Sequence, residues 1–196
     1  MMLSDGQGRD NRTFILDRAA DLFARRGYDA VGVQEIVTAA GVTKPTLYHY
    51  FGSKGGVLRT LFDERFAPFL AELERATATD ESLTGRLTRV VAAYFRFAHG
   101  QPTLYRLHLA LWFGSPDNEA AQIVWGSVDR QHQLLAAMFA AAVPCHGNIR
   151  GRERIYASTL VGVINGRIAL AADGGPPLDD HAVWQTVQHF SHGIYS

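Results

Sequence analysis

Four breaks built from glycine and proline cut the second half of this chain into lengths that suit helices and little else. They are Gly100 with Pro102, Gly114-Ser115-Pro116, Pro144 through Gly151, and Gly174-Gly175-Pro176-Pro177. Between them apolar residues recur at helical spacing, and no convincing strand pattern intervenes, so the chain reads as all-α. Helices are expected over 81–98, 102–113, 119–142, 152–173 and 179–195. A longer one over 54–75 precedes them, with Pro68 as a kink. No fixed-period repeat and no low-complexity tract is present.

The first third is cut more finely. A first helix opens near Asp10 or Asn11, both good N-caps, and carries Ile15, Ala19, Leu22 and Phe23 along one face. Gly27 stands where a left-handed C-terminal residue belongs, with Tyr28 just beyond it to pack back on the core. A short helix runs from Val33 to Ala40 and stops at Gly41. Thr43 caps a third helix that tolerates Pro45 in its first turn, turns Leu47 and Phe51 inward and ends near Gly52. Ser53 caps the next. With the five helices above, this makes about nine.

Charge narrows the function. The 196 residues carry 19 Lys+Arg and 19 Asp+Glu, which argues against coating nucleic acid through bulk positive charge. The balance is uneven along the chain. Residues 1–59 hold eight basic and six acidic side chains, both lysines (Lys44 and Lys54) among them, and no acid lies between Gly41 and Thr60. A short basic window in a neutral chain suggests one local anion-binding face, although such windows are often plain solvated surface. The composition shift near residue 60 sets the expected boundary between domains 1–59 and 60–196.

The two short helices and the Gly41-Val42 turn form a helix-turn-helix, whose second helix can lie in the DNA major groove. Thr43 and Lys44 start that helix, where unpaired backbone N–H groups favour a phosphate. Lys44, Pro45, Thr46, Tyr48 and His49 occupy the faces left once Leu47 and Phe51 are buried. They offer a cation, apolar surface, a hydroxyl, a phenol and an imidazole for phosphates and base edges. Lys54 can take another phosphate at the start of the following helix.

The stretch from Ile15 to Leu58, ILDRAADLFARRGYDAVGVQEIVTAAGVTKPTLYHYFGSKGGVL, resembles the amino-terminal domain of the TetR family of bacterial transcriptional regulators. The resemblance covers about a quarter of the chain and is most specific around GVTKPTLYHYFGSK. It implies three helices for DNA and about six for ligand binding and dimerisation. It further implies a homodimeric repressor on a palindromic operator of double-stranded DNA, released by a small-molecule effector. Carried over by position, the DNA-facing residues are Gln34, Thr43, Lys44, Pro45, Thr46, Tyr48, His49 and Lys54. An activator or a corepressor-dependent regulator fits the same residues. Two departures stand out: Gly32 replaces the family's usual Ser or Thr cap, and Gly55-Gly56 follow Ser53-Lys54, suggesting a soft, hinge-like turn.

Beyond residue 80 only patterns speak. Ser158, Gly162, Gly166 and Ala169 align along one side of their helix, which suits close packing against a second copy, with space for a ligand or an internal packing partner as the alternatives. Trp184 on the last helix is assigned to the same dimer interface. Aromatics concentrate between 94 and 139. Tyr94, Phe97, Tyr105, Leu109, Trp112 and Trp125, with Arg106, His132 and Asn165 as polar groups, are candidates for lining an effector cavity that suits a flat or greasy ligand. Such stripes are more often simple core. His108 and Arg167 are further polar groups that could orient such a ligand, although an interface ion pair or a snorkelling side chain explains Arg167, in an otherwise apolar helix, equally well. His181, His189 and His192 read as a solvated or interface face, since no metal set is completed, and Cys145, the only cysteine, excludes a disulfide framework. No G-x-S-x-G, Walker loop or H-E-x-x-H occurs, so no catalytic residue, cofactor or enzyme activity is expected. The polar start MMLSDGQGRDNR lacks an apolar signal core, and the longest apolar run, Leu134–Val143, is short of a membrane span. The expectation is a cytoplasmic bacterial protein, on the nucleoid through its operator and with no membrane partner.

Overall fold

The computed structural model describes residues 5–115 and 117–192, with side chains from residue 11 onward. Its helices are α1 (Asp5–Arg26), α2 (Val33–Ala40), α3 (Lys44–Phe51), α4 (Lys54–Leu61), α5 (Ala67–Thr77), α6 (Leu83–Gly100), α7 (Pro102–Trp112), α8 (Glu119–Ala142), α9 (Glu153–Ala172) and α10 (Asp180–His192). A π-helical turn, Phe62–Phe66, joins α4 to α5, and a 3₁₀ turn spans Gly147–Ile149. Since α4, the π turn and α5 follow one another without a gap, the described residues make nine α-helical stretches and no strand.

Two expectations change. The first helix starts at Asp5, ahead of the Asp10 and Asn11 caps. Gly6 and Gly8 disfavour a helix locally, which moved the expected start inward. The Pro68 kink resolves into the π turn just before it. Proline has no N–H and its ring crowds the carbonyl four residues back. The hydrogen bonding accommodates this by lengthening: the Ala67 N–H donates to the Phe62 carbonyl, five residues earlier. The end of the last expected helix, 193–195, lies outside the described residues, as does Pro116.

The chain forms two compact units. One comprises residues up to Ala67 with Thr103–Ser127; the other comprises Pro68–Pro102 with Val128 onward. The first holds α1–α4, the π turn, α7 and the start of α8, and so extends past the 1–59 stretch. Ile15, Leu16, Ala19 and Phe23 of α1 are buried against Ile36 and Val37, Leu47 and Phe51, and Val57, Leu58 and Leu61. Each large apolar side chain so buried contributes roughly 1.5–3 kcal/mol. Ion pairs Arg12–Glu64 and Arg65–Asp17 tie α1 to the π turn, where Phe62 and Phe66 lie 6.1 and 4.5 Å from the buried His108 ring.

The second unit packs α6 against α9 and α10. Phe69 lies against Tyr94 and Phe97, at 4.8 and 4.6 Å between ring centroids. The buried Tyr94 hydroxyl donates to Gln131 Oε1 at 2.9 Å, which satisfies a phenol that would otherwise be costly to bury. Phe139, Tyr156 and Phe190 close the far side of this core.

The glycine pair after Ser53 is a point of close packing. Gly55 is buried. A Cβ on Gly56 would stand 1.8 Å from the Phe51 carbonyl oxygen, so the turn between α3 and α4 closes only over a hydrogen. Gly56→Ala should therefore lower the unfolding free energy by about 2–3 kcal/mol. Gly126→Ala, on α8 with open space around it, should leave stability unchanged or raise it by up to ~1 kcal/mol. Chemical denaturation distinguishes the two, and equal effects would contradict the packing account.

Candidate DNA-binding interface

The recognition element is built from local chemistry. Gly27 and Gly41 adopt φ of 82° and 67°, ending α1 and α2 in the left-handed region. At Gly32 the missing cap side chain is offset from the other direction: the Gly32 N–H donates to Glu35 Oε1 at 3.1 Å. Glu35 also pairs with Arg26. The Gly32 N–H first, and then Arg26, hold the Glu35 carboxyl below its ordinary value. Thr43 caps α3, its hydroxyl accepting the Thr46 N–H at 3.4 Å and bonding the Thr46 hydroxyl at 2.9 Å. Gly52, at φ 71°, stops α3, and Ser53 Oγ accepts the Gly56 N–H at 2.9 Å to start α4.

With Leu47 and Phe51 buried, α3 turns a mixed surface outward. Thr43, Lys44, Pro45, Tyr48 and His49 are exposed, and Thr46 is half-buried beside its partner. Tyr48 is 48% exposed, far more than a ring with a place in the core. The His49 ring meets Tyr50 edge-on at 5.2 Å. Gln34 is exposed on α2, its amide donating to Thr38 Oγ1 at 3.3 Å.

Lys54 departs from the phosphate contact expected of it. Its ammonium lies 4.0 Å from the centre of the Tyr28 ring and donates to the Tyr28 and Val31 carbonyls at 3.0 and 3.1 Å. Two of its three donors thus hold the loop between α1 and α2. Sequence alone marked Lys54 as basic at a helix start; only the tertiary path of residues 28–31 turns the charge inward.

The other candidates disperse. Tyr94, Phe97 and Tyr105 are buried core, Leu109, Trp112, His132 and Asn165 are half-buried, and Arg106 and Trp125 are exposed. Tyr94, Phe97, His132 and Asn165 belong to one compact unit, and Tyr105, Arg106, Leu109, Trp112 and Trp125 to the other. A cleft of about 530 Å³ between α8 and α9 is lined by Asp129, His132, Gln133, Ala136, Arg154, Ala157 and Ser158. Of the nine effector candidates it takes only His132, whose Nδ1 lies 2.9 Å from the Val128 carbonyl. The cleft is more polar than the cavity expected.

On α9, Ala157, Leu160, Val161, Ile164 and Ile168 are buried, while Ser158, Gly162, Gly166 and Ala169 are all exposed. Ile155 and Leu170 extend that exposed face and Trp184 of α10 is 57% exposed. Arg167 donates to Gln185 Oε1 at 3.2 Å. By length and composition α9 could cross a bilayer, although Ser158, Thr159, Asn165 and Arg167 interrupt its apolar run. Only 28% of its most apolar window is buried.

A short capped helix, seated by two apolar side chains and turned outward with a cation, a phenol and an imidazole, is the reading head of a helix-turn-helix DNA-binding protein. The family model for "Bacterial regulatory proteins, tetR family" matches residues 15–61. Over 186 residues, 94% of this chain and 83% of the relative, the chain is 28% identical to the HTH-type transcriptional activator FasR of Mycolicibacterium smegmatis. Over 104 residues, 51% of this chain and 50% of the relative, it is 35% identical to the HTH-type transcriptional repressor KstR2 of the same organism. The solved transcriptional regulator FadR from Bacillus subtilis, in complex with stearoyl-CoA, shares the fold. Its TM-score is 0.73 at 21% identity, over 93% of this chain and 99% of that one. Residues 15–61 carry the TetR-family DNA-binding domain, and the chain is a DNA-binding transcriptional regulator rather than an enzyme.

Salt titration of binding to a duplex separates the two lysines. Lys44→Ala should reduce the slope of log K against log salt by about 0.9, the share of one phosphate. Lys54→Ala should leave the slope unchanged and lower the melting temperature by several degrees, as the α1–α2 loop loses its charged hydrogen bonds. Equal slope losses would contradict the inward role of Lys54.

Proposed function

We propose that two copies of this chain bind a palindromic operator as a homodimer and repress transcription until a ligand of the fatty acyl thioester class, with a long apolar chain and a polar headgroup, releases them. The outward face of α3 carries the reading: Lys44 and Thr43 meet phosphates, while Pro45, Thr46, Tyr48 and His49 face base edges, with Gln34 alongside. Lys54 steadies the loop behind them. Two such helices about 34–36 Å apart would meet successive major grooves on one side of the duplex.

The dimer reading is supported by α9. Ile155, Ser158, Thr159, Gly162, Gly166, Ala169 and Leu170 form an exposed face without a formal charge. Nothing lies within 4 Å of where a Cβ would stand on Gly162 or Gly166, so neither glycine is explained by packing within the chain. A second copy laid along this face would give both a reason. The effector class is suggested by the stearoyl-CoA bound to the FadR relative. The cleft beside His132 and Arg154 offers polar groups for a ligand's headgroup. A ligand-dependent activator is the second reading, favoured by the role in the FasR name. Either regulator acts in the cytoplasm.

Sedimentation and fluorescence anisotropy on a duplex recovered by genomic footprinting test the proposal. The wild type should sediment as a dimer and lose about 100-fold in operator affinity with saturating stearoyl-CoA, a coupling of roughly 2.7 kcal/mol. Gly162→Arg should give a monomer with at least tenfold weaker binding. A wild-type monomer, or stearoyl-CoA without effect on binding or on transcription from the footprinted promoter, would contradict the dimer and effector assignments respectively; stearoyl-CoA that raises transcription without releasing DNA would establish the activator.

A further inference from the structure

The first turn of α8 is fastened to the loop that aims the reading head. Asn118 Oδ1 accepts the Ala120 N–H at 2.7 Å, capping α8, while its amide nitrogen donates to the Asp29 carboxylate. One residue on, Glu119 Oε2 accepts the Tyr28 hydroxyl at 2.8 Å. The other Glu119 oxygen lies against Gly55, where a Cβ would stand 2.4 Å away. From the opposite direction Lys54 holds the Tyr28 and Val31 carbonyls. Residues 28–31, which lead from α1 into α2, are therefore held by the start of α4 and by the start of α8. These groups all belong to one compact unit.

The chemistry exceeds what stability requires. The Tyr28 ring is already buried against Phe23, at 5.1 Å between centroids. A phenylalanine would fill that space as well. Burial first, and then Glu119, push the Tyr28 phenol above its ordinary value, so it remains an O–H donor at every physiological pH. The hydroxyl adds direction rather than bulk. Its partner sits on a helix that continues unbroken to Ala142 and carries Asp129 and His132 of the cleft.

We propose that Asn118 and Glu119 are positioning residues for DNA reading. Through Asp29 and the Tyr28 hydroxyl they fix the α1–α2 loop, so that the placement of α8 governs the aim of α2 and α3. The inference rests on the chain being a DNA-binding regulator. It adds to that reading a pair of residues far outside the helix-turn-helix, on the helix that lines the cleft.

The test uses the full-length, ligand-free protein. Tyr28→Phe keeps the ring and its contact with Lys54, Glu119→Ala removes the acceptor, and Glu119→Gln keeps an acceptor oxygen. Hydrogen exchange of the amides of residues 28–33 should accelerate about tenfold in Tyr28→Phe and in Glu119→Ala. Operator affinity should fall by a similar factor with an unchanged salt slope. The double variant should show no more than either single change, and Glu119→Gln should restore near wild-type behaviour. Wild-type exchange and affinity in both single variants, or effects that simply multiply, would overturn the proposal. So would a Glu119→Gln variant as impaired as Glu119→Ala. If the wild type bound no duplex, the regulator reading itself would fall, while the exchange rates would still decide whether α8 holds the loop.

Discussion

An eight-residue helix has no independent stability in water, and the function of this chain depends on one. Everything around α3 supplies what its length does not. Leu47 and Phe51 anchor one side in the core, and Thr43 and Gly52 close the two ends. At the far end Gly56 permits an approach to the Phe51 carbonyl that no side chain would allow. With the inward face spent on anchoring, the residues that remain outside are free to be chosen for what they contact.

The parts set by local chemistry were legible in advance. Gly27, Gly41 and Gly52 end helices with the positive φ that glycine alone adopts cheaply, and Thr43 and Ser53 start them through side-chain oxygens; these signals need no knowledge of the tertiary fold. Pairings across long separations were not legible. Tyr28 and Glu119 are 91 residues apart, and nothing in either neighbourhood calls for the other. Lys54 shows the same limit: the sequence gives its charge and its helix position, whereas the carbonyls that receive it depend on the path of the α1–α2 loop. The Gly55-Gly56 pair resembled slack because propensity counts glycine as a cost, and the backbone and carboxylate beside it supply the compensation.

The carboxy-terminal part divides along similar lines. The small residues of α9 were readable as one face by helical spacing, and the structure leaves that face uncovered. The aromatic residues from 94 to 125 were readable as a cluster in sequence, yet Tyr94 and Phe97 fill the core of one unit, and Trp125 faces outward in the other. Spacing along a helix assigns a residue to a side. Which sides meet is decided by packing among helices distant in sequence.

The account turns on α3 reading bases, and selection from a randomised duplex library addresses that directly. The wild type should enrich an inverted repeat whose half-sites are about one helical turn apart. His49→Ala should keep that spacing while changing the preferred base at one position in each half-site. An identical enriched sequence for His49→Ala would contradict base reading by that side chain, and no enrichment by the wild type would contradict the account as a whole.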